Sequence, residues 1–481
     1  MDVAIFPKNE FRARLFPPYA PYFSGIVTCD VTGCTTRDIG ACHYLGLSWE
    51  PRDRSNRASL SLRGPSSMSP SEPPRTSEQF PETMLPLPAA PAAELLPAVA
   101  LAQDLIRCRS VTPDEGGALA LIDQRLSEVG FATHRLTFTA PGTPDVENLY
   151  ARYGREAPFL LFAGHTDVVP PGDEAHWRHD PFGGVIEDGR IFGRGASDMK
   201  GGVAAMVAAA LAFIKAKPDF PGSIGFLLTG DEEGPAVNGT VKLLEWVKNE
   251  RGDKFDHCIL AEPTNPDALG DMIKIGRRGS LTGRVVLAGK QGHVAYPQLA
   301  DNPIQHVSAL IAALKGSPLD EGTAHFAPSN LEFTTIDVAN PSTNVIPAEV
   351  KLAFNIRFND VWTPETLADE IRRRITDAGL DERTRVTFLP TNATAFVTEP
   401  GSFVAVLSRA IEAETGLKPA LSTTGGTSDA RFIKDYCSVV EFGLVGQTMH
   451  QVDEHVATAD IDGLTAIFRR VLQDYFASSA R

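Results

Sequence analysis

The chain has 481 residues, of which 43% are hydrophobic and 22% charged, with a formal net charge of −15. That length can bury more than one core, so two domains with extra segments are expected. The acidic balance leaves no basic excess to displace counterions, which argues against nucleic acid as a partner.

The longest apolar stretch, Ala204 to Ile214, is short for a bilayer span. Nothing after Met1 has the basic, apolar and small-residue order of a secretory signal. Cys29, Cys34, Cys42, Cys108, Cys258 and Cys437 stand singly, with no CxxC pair, against a structural zinc knot or a disulfide framework. The expectation is a soluble chain of the reducing cytoplasm, with no membrane partner.

Residues 1–83 carry clusters such as Arg63-Gly64-Pro65-Ser66-Ser67 and Ser71-Glu72-Pro73-Pro74-Arg75, without sustained period. They read as a disordered extension, or as a start set too far upstream with Met84 as initiator. Helical spacing then runs through Leu95, Val99, Leu101 and Leu105, and through Leu119, Ile122 and Leu126. Buried-strand runs follow: Phe159 to Phe162 ending at Gly164, Ile224 to Leu228 ending at Thr229-Gly230, and Cys258 to Ala261 ending at Glu262. Helices near 200–216 and 238–250 lie between them, which predicts an α/β body with a largely parallel sheet. At about 279 the texture changes to alternating strands, Leu281 to Leu287, Leu331 to Val338 and Val350 to Phe358. Helices near 302–315 and 363–377 accompany them, the second opening with Thr363 as N-cap and Pro364 at its first position. After about 391 the α/β texture resumes, with helices near 401–415 and 459–477.

The chemistry sits after the buried strands, where open α/β sheets put their ligands. In Gly164-His165-Thr166-Asp167, an extended chain turns His165 and Asp167 to one face, so Asp167 could take the free ring N–H of a metal-bound imidazole. A lone buried histidine with a local partner would explain His165 by itself. Gly193-Arg194-Gly195-Ala196-Ser197-Asp198-Met199-Lys200-Gly201-Gly202 lacks the spacing of a phosphate loop, which favours Asp198 as a ligand on a tight turn. Asp231-Glu232-Glu233-Gly234 follows an apolar strand rather than lining a polar helix, so one glutamate can bind metal while the other moves protons. Glu262, before Pro263-Thr264, and His450, after Thr448-Met449, complete a nitrogen/oxygen set suited to zinc and tolerable for cobalt or manganese.

From about 90 to 478 the chain resembles the M20 family of two-zinc metallohydrolases. The resemblance rests on Gly164 to Asp173 (GHTDVVPPGD), Trp177, Asp180-Pro181-Phe182, Ala196 to Gly202 (ASDMKGG) and Asp231 to Thr240 (DEEGPAVNGT). Gly276 to Leu281 (GRRGSL), Gly289 to Pro297 (GKQGHVAYP) and Gly425 to Phe432 (GGTSDARF) extend it.

It implies a mixed-sheet α/β catalytic domain in two pieces, 84–278 and 391–481, and an inserted α+β dimerisation and lid domain, 279–390. It also implies an amidohydrolase for a carboxylate-bearing N-acyl amino acid, working as a homodimer with two zinc ions per subunit. His165 and Glu262 would hold one ion, Glu233 and His450 the other, and Asp198 both, with a cis peptide at Asp198–Met199. Glu232 would be the general base, Asp167 the partner of His165, and His293 an oxyanion donor from the lid. Arg277, Arg278, Ser280, Asn344, Arg357 and Thr427 stand at substrate-binding positions. Gly446, where some relatives carry Asn, and Thr424, where Ser is frequent, depart from the pattern. The family's other N-acyl deacylases, and a metal-binding relative without catalysis, remain alternatives; Glu232 speaks against the latter.

Overall fold

The computed structural model describes residues 10–12, 28–30 and 97–478. The expectations for residues 1–83 fall outside the described residues, apart from a short antiparallel pair of Glu10–Arg12 with Thr28–Asp30.

Strands rich in β-branched, aromatic and leucine side chains assemble into an eight-stranded sheet. Its spatial order is Ala420–Ser422, Met272–Lys274, Ser438–Glu441, His257–Leu260, Phe159–His165, Ser223–Thr229, Val146–Gly154 and Ala132–Phe138. The central run from Ser438–Glu441 to Ser223–Thr229 is parallel. Val146–Gly154 and Ala132–Phe138 join antiparallel at one side, and Met272–Lys274 antiparallel at the other. Ala420–Ser422 adds a further parallel pair on Met272–Lys274, so the expected parallel pairing holds at the centre and at this edge within a sheet that is mixed.

Within Phe159–His165 the side chains alternate between two cores. Leu160 and Phe162 pack toward helices Pro97–Arg107, Gly201–Ala216, Ser402–Thr415 and Thr458–Ser478. Phe159, Leu161 and Ala163 pack toward Thr240–Trp246 and Ala430–Ile433. Cover on both faces is why these strands read as continuous apolar runs rather than as alternations.

The helical stretch Ala196–Ala216 is long and apolar enough to cross a bilayer, with a mean hydropathy of 1.5, which corrects the expectation of too short a stretch. Yet 72% of its most apolar window is buried inside the protein, as befits a central helix covered on all sides. Its first turn is not regular: Asp198 (φ −123°, ψ 95°) and Met199 (φ −133°, ψ 28°) leave the helical path.

Residues 279–388 carry a second sheet with its own core. Four antiparallel strands lie in the order Asn330–Asp337, Glu349–Phe358, Gly279–Ala288 and Thr384–Phe388. Their inward residues, among them Leu281, Val285, Phe354 and Ile356, pack with Leu310 of helix Ile304–Lys315 and with Leu367 and Ile371 of helix Pro364–Asp377. Thr363 caps the second helix: its Oγ1 accepts the Thr366 N–H at 3.2 Å, and Thr366 Oγ1 accepts the Thr363 N–H at 3.0 Å. The two chain crossings between the bodies are themselves paired, Gly276–Arg277 antiparallel with Phe396–Val397.

The adjacent glycines that begin helix Gly201–Ala216 are there for close approach. A Cβ on Gly202 would lie 2.6 Å from the carbonyl oxygen of Ala261, the residue before Glu262. Gly202→Ala should therefore push the helix off this strand end and cost about 1–3 kcal/mol. The expected readout is a lower urea midpoint with unchanged slope; an unaltered midpoint would show that the approach is not tight.

Candidate active site

The parallel neighbours His257–Leu260, Phe159–His165 and Ser223–Thr229 end side by side, so the residues at and after their carboxyl ends share one space. His165 is the last residue of its strand, Asp231 to Glu233 follow Thr229, and Glu262 follows Leu260. Asp198 comes from the irregular turn before helix Gly201–Ala216, and His450 from the loop after Ser438–Glu441.

His165 Nε2 lies 3.1 Å from Asp198 Oδ1 and 4.0 Å from Glu262 Oε1. On the other side, His450 Nε2 lies 3.4 Å from Asp198 Oδ2 and 2.8 Å from Glu233 Oε1. The two oxygens of Asp198 thus face two different imidazoles, each with its own glutamate. His165, Asp198 and Glu233 offer ligand atoms all within 4.8 Å of one another, a spacing suited to a metal ion. The Asp198–Met199 peptide is cis.

Two observations say that a cation fits here. Glu262 Oε1 is buried and has no hydrogen-bond partner among the described residues, which is costly for a carboxylate oxygen. Burial first, and then the charge of Asp198, push the Glu262 carboxyl up to about 8. Hydrogen bonds to Asp198 and Glu233 raise His450 to about 10, so a proton on this ring supplies part of the missing positive charge. Glu232 shares the crowded space: burial, then Glu262 and Asp429, push its carboxyl well above the usual range.

Asp167 performs a different task from the one expected. The His165 Nδ1 partner is the Asp167 backbone carbonyl at 2.9 Å, while the nearer carboxylate oxygen stands 3.7 Å away. The carboxylate instead accepts the N–H groups of Glu232 at 3.3 Å and Glu233 at 3.1 Å and the Thr112 hydroxyl at 2.6 Å. It therefore organises the acidic turn. Thr112 escaped the sequence reading, because its place beside Thr166–Val168 comes from a segment far back in the chain.

Arg277 is also reassigned. Its guanidinium is buried in a forked ion pair with Glu441, with Nε 2.9 Å from both carboxylate oxygens, and Nη1 reaches the Gly426 carbonyl at 3.2 Å. The fork is thus already occupied and is not open to a substrate carboxylate. Arg278 is less enclosed, with Nη1 on Asn330 Oδ1 at 3.1 Å. Burial, then the neighbouring charge of Arg278, lower Arg357; Ser280 lies directly opposite Arg357 in the strand register. Thr427 is half-buried near the Gly426 turn, and Asn344 is exposed on the lid, its carbonyl accepting the Val294 N–H at 3.1 Å. His293 lies outside the ligand group, exposed on the lid, with Nδ1 accepting the Ala295 N–H at 3.0 Å and Tyr296 against its ring.

The profile of peptidase family M20/M25/M40 matches residues 161–474. The chain belongs to this family. Among its relatives, the succinyl-diaminopimelate desuccinylase of Methylobacterium nodulans is 66% identical over 385 residues, which is 79% of this chain and 97% of that one. The protein of the same name from Methylorubrum extorquens is 64% identical over 380 residues, 79% and 98% of the two chains. A solved dinuclear metal-binding peptidase of Bacillus subtilis shares the fold, with a TM-score of 0.58 at 16% identity over 79% of this chain and 98% of its own.

Binding a cation that the unfolded chain does not bind stabilises the fold. Zinc at about a hundred times its dissociation constant should add about 2.7 kcal/mol. The expected result is a zinc-dependent rise in melting temperature that disappears in Asp198→Ala; an equal rise in that variant would put the cation elsewhere.

Proposed function

We propose that this chain hydrolyses N-succinyl-LL-2,6-diaminopimelate to succinate and LL-2,6-diaminopimelate, using two zinc ions that cobalt can replace. The observation that carries this reading is the division of ligands about Asp198, in a chain nearly two-thirds identical to desuccinylases over almost their whole length. His165 and Glu262 would hold one ion and Glu233 and His450 the other, with Asp198 available to both.

When bound, such ions supply Lewis acidity, acidifying water and polarising a carbonyl. Glu232 takes the proton from the attacking water and returns it to the leaving amine. Asp167 keeps Glu232 and Glu233 pointing in their separate directions through the turn hydrogen bonds. Arg278 and Arg357, two close cations on the lid side with Ser280 opposite, suit the carboxylates of the substrate. Asn344 and Thr427 add polar contacts, and Arg277 shapes the floor through Glu441. The reading places the work in the cytoplasm, on a small molecule, with neither membrane nor nucleic acid involved. Comparing amine release from succinyl-diaminopimelate and from acetylornithine tests the substrate; a preference for acetylornithine would overturn it.

The lid domain, 279–390, is proposed as the dimer surface. Val294, Tyr296 and Leu299 are 51%, 56% and 63% exposed beside His293, an apolar group that a second copy would cover. His293 then reaches the partner's site as oxyanion donor when the domains close.

Two outcomes are expected. Glu232→Gln keeps size and hydrogen bonding but removes the base, so turnover should fall by about a hundredfold or more with both zinc ions still bound. Near-normal turnover would remove Glu232 from its role. Mixing inactive His293→Ala with inactive Glu232→Gln under subunit exchange should restore activity, because one site of the mixed dimer carries neither lesion. No recovery despite proven exchange would rule out donation across the interface.

A further inference from the structure

Glu454 is 0% exposed, and its carboxylate is fully engaged by the turn that presents Asp198. Oε1 accepts the N–H of Ser197 at 2.9 Å and of Asp198 at 3.1 Å. Oε2 accepts the N–H of Gly195 at 3.1 Å and Arg194 Nη1 at 2.7 Å. Gly195 needs its left-handed φ of 87° here, and a Cβ would stand 2.7 Å from Val168 Cγ1.

Arg194 carries the contact to the other side of the site. Nη1 donates to the Gln451 carbonyl at 3.2 Å and Nη2 to the His450 carbonyl at 3.4 Å. The guanidinium rests 5.1 Å from the centre of the Trp177 ring, whose Nε1 donates to the Pro171 carbonyl at 3.0 Å. His450 has a φ of 63°, a conformation that costs a non-glycine residue and persists only where its surroundings hold it. Its side chain is 48% exposed, so the loop gains little support from burial there.

A buried ion pair is weak evidence for stability, since packed apolar side chains often serve as well. An apolar pair, however, could not bind three backbone N–H groups on one side and two carbonyls on the other.

We propose that Arg194 and Glu454 are positioning residues for the metal site, tying the Asp198 turn to the His450 loop and so setting the affinity of the ion held by His450 and Glu233. This rests on the two-metal reading above. His165 is fixed separately, by its strand and by the Asp167 carbonyl, so the ion it shares with Glu262 depends less on the pair.

The test titrates metal-free protein with zinc against a chelating dye and measures kcat and KM alongside. Arg194→Lys keeps the charge facing Glu454 but loses the fork that spans both carbonyls. One of its two zinc affinities, that of the His450–Glu233 position, should fall about 10–100-fold while the other stays within about threefold of the unaltered chain. At limiting zinc, kcat should fall with little change in KM, and excess zinc should restore much of it. Glu454→Gln, which keeps the side chain's shape but loosens the turn of the shared Asp198, should weaken both ions, the one at His450 and Glu233 more; should it fail to fold, Arg194→Lys decides alone. Unchanged affinity for both ions overturns the proposal. Equal weakening of both, together with a lower melting temperature of the metal-free chain, also overturns it, because that is the mark of a merely structural pair. An unaltered chain that binds no second zinc overturns the two-metal reading and the proposal with it.

Discussion

Mutual repulsion among the carboxylates of Asp198, Glu232, Glu233 and Glu262 is the constraint on which the rest of this molecule depends. Two like charges 4 Å apart repel by about 4 kcal/mol at an effective dielectric constant of 20. The chain gathers these groups at buried strand ends, where water screens them poorly, and leaves Glu262 Oε1 without a hydrogen-bond partner among the described residues. Protons can relieve the repulsion: the crowding raises the pKa of Glu262, and the Asp198 and Glu233 carboxylates raise that of His450. Divalent cations relieve it better, and they turn a destabilising cluster into one that acidifies water.

The sheet exists, in this account, to deliver those groups to one place. Parallel strands end on the same side, so adjacent strands contribute His165, the Asp231–Glu233 turn and Glu262 without long loops. The price is core space, met by helix Gly201–Ala216, whose Gly202 admits the Ala261 carbonyl. A second set of contacts then orients what the sheet delivers. Asp167 holds the acidic turn, Glu454 holds the Asp198 turn, and Arg194 holds the His450 backbone. The smaller body keeps a separate core and joins the larger one through two paired crossings.

Much of this is legible in the sequence, for a physical reason. A strand buried on both faces must be apolar throughout, so an acidic residue or histidine directly after it stands out; that is how His165, Glu232, Glu233 and Glu262 are found. Thr363-Pro364 marks a helix start through capping chemistry that is purely local. What stays hidden depends on residues distant in the chain. Arg277 reads as a substrate ligand until Glu441 closes on it, and nothing in Asp453-Glu454-His455 marks Glu454 before the fold buries its carboxylate against the Asp198 turn. Asp167 was assigned by side-chain direction, and its backbone carbonyl does the work at His165 instead. The strand Ala132–Phe138 escapes because His134, Arg135 and the threonines blur its alternation at a half-exposed edge. Residue by residue, the similarity to the family supplied pairings between ligands that no spacing could.

Anomalous scattering at the zinc edge from crystals of the zinc-loaded chain tests the central claim most directly. The expected map has two peaks, one on each side of the Asp198 carboxylate. One should lie within bonding distance, about 2.0–2.2 Å, of His165 and Glu262, and the other of Glu233 and His450. Two occupied positions that leave Asp198 unligated, or a single position that draws both histidines together, would contradict it.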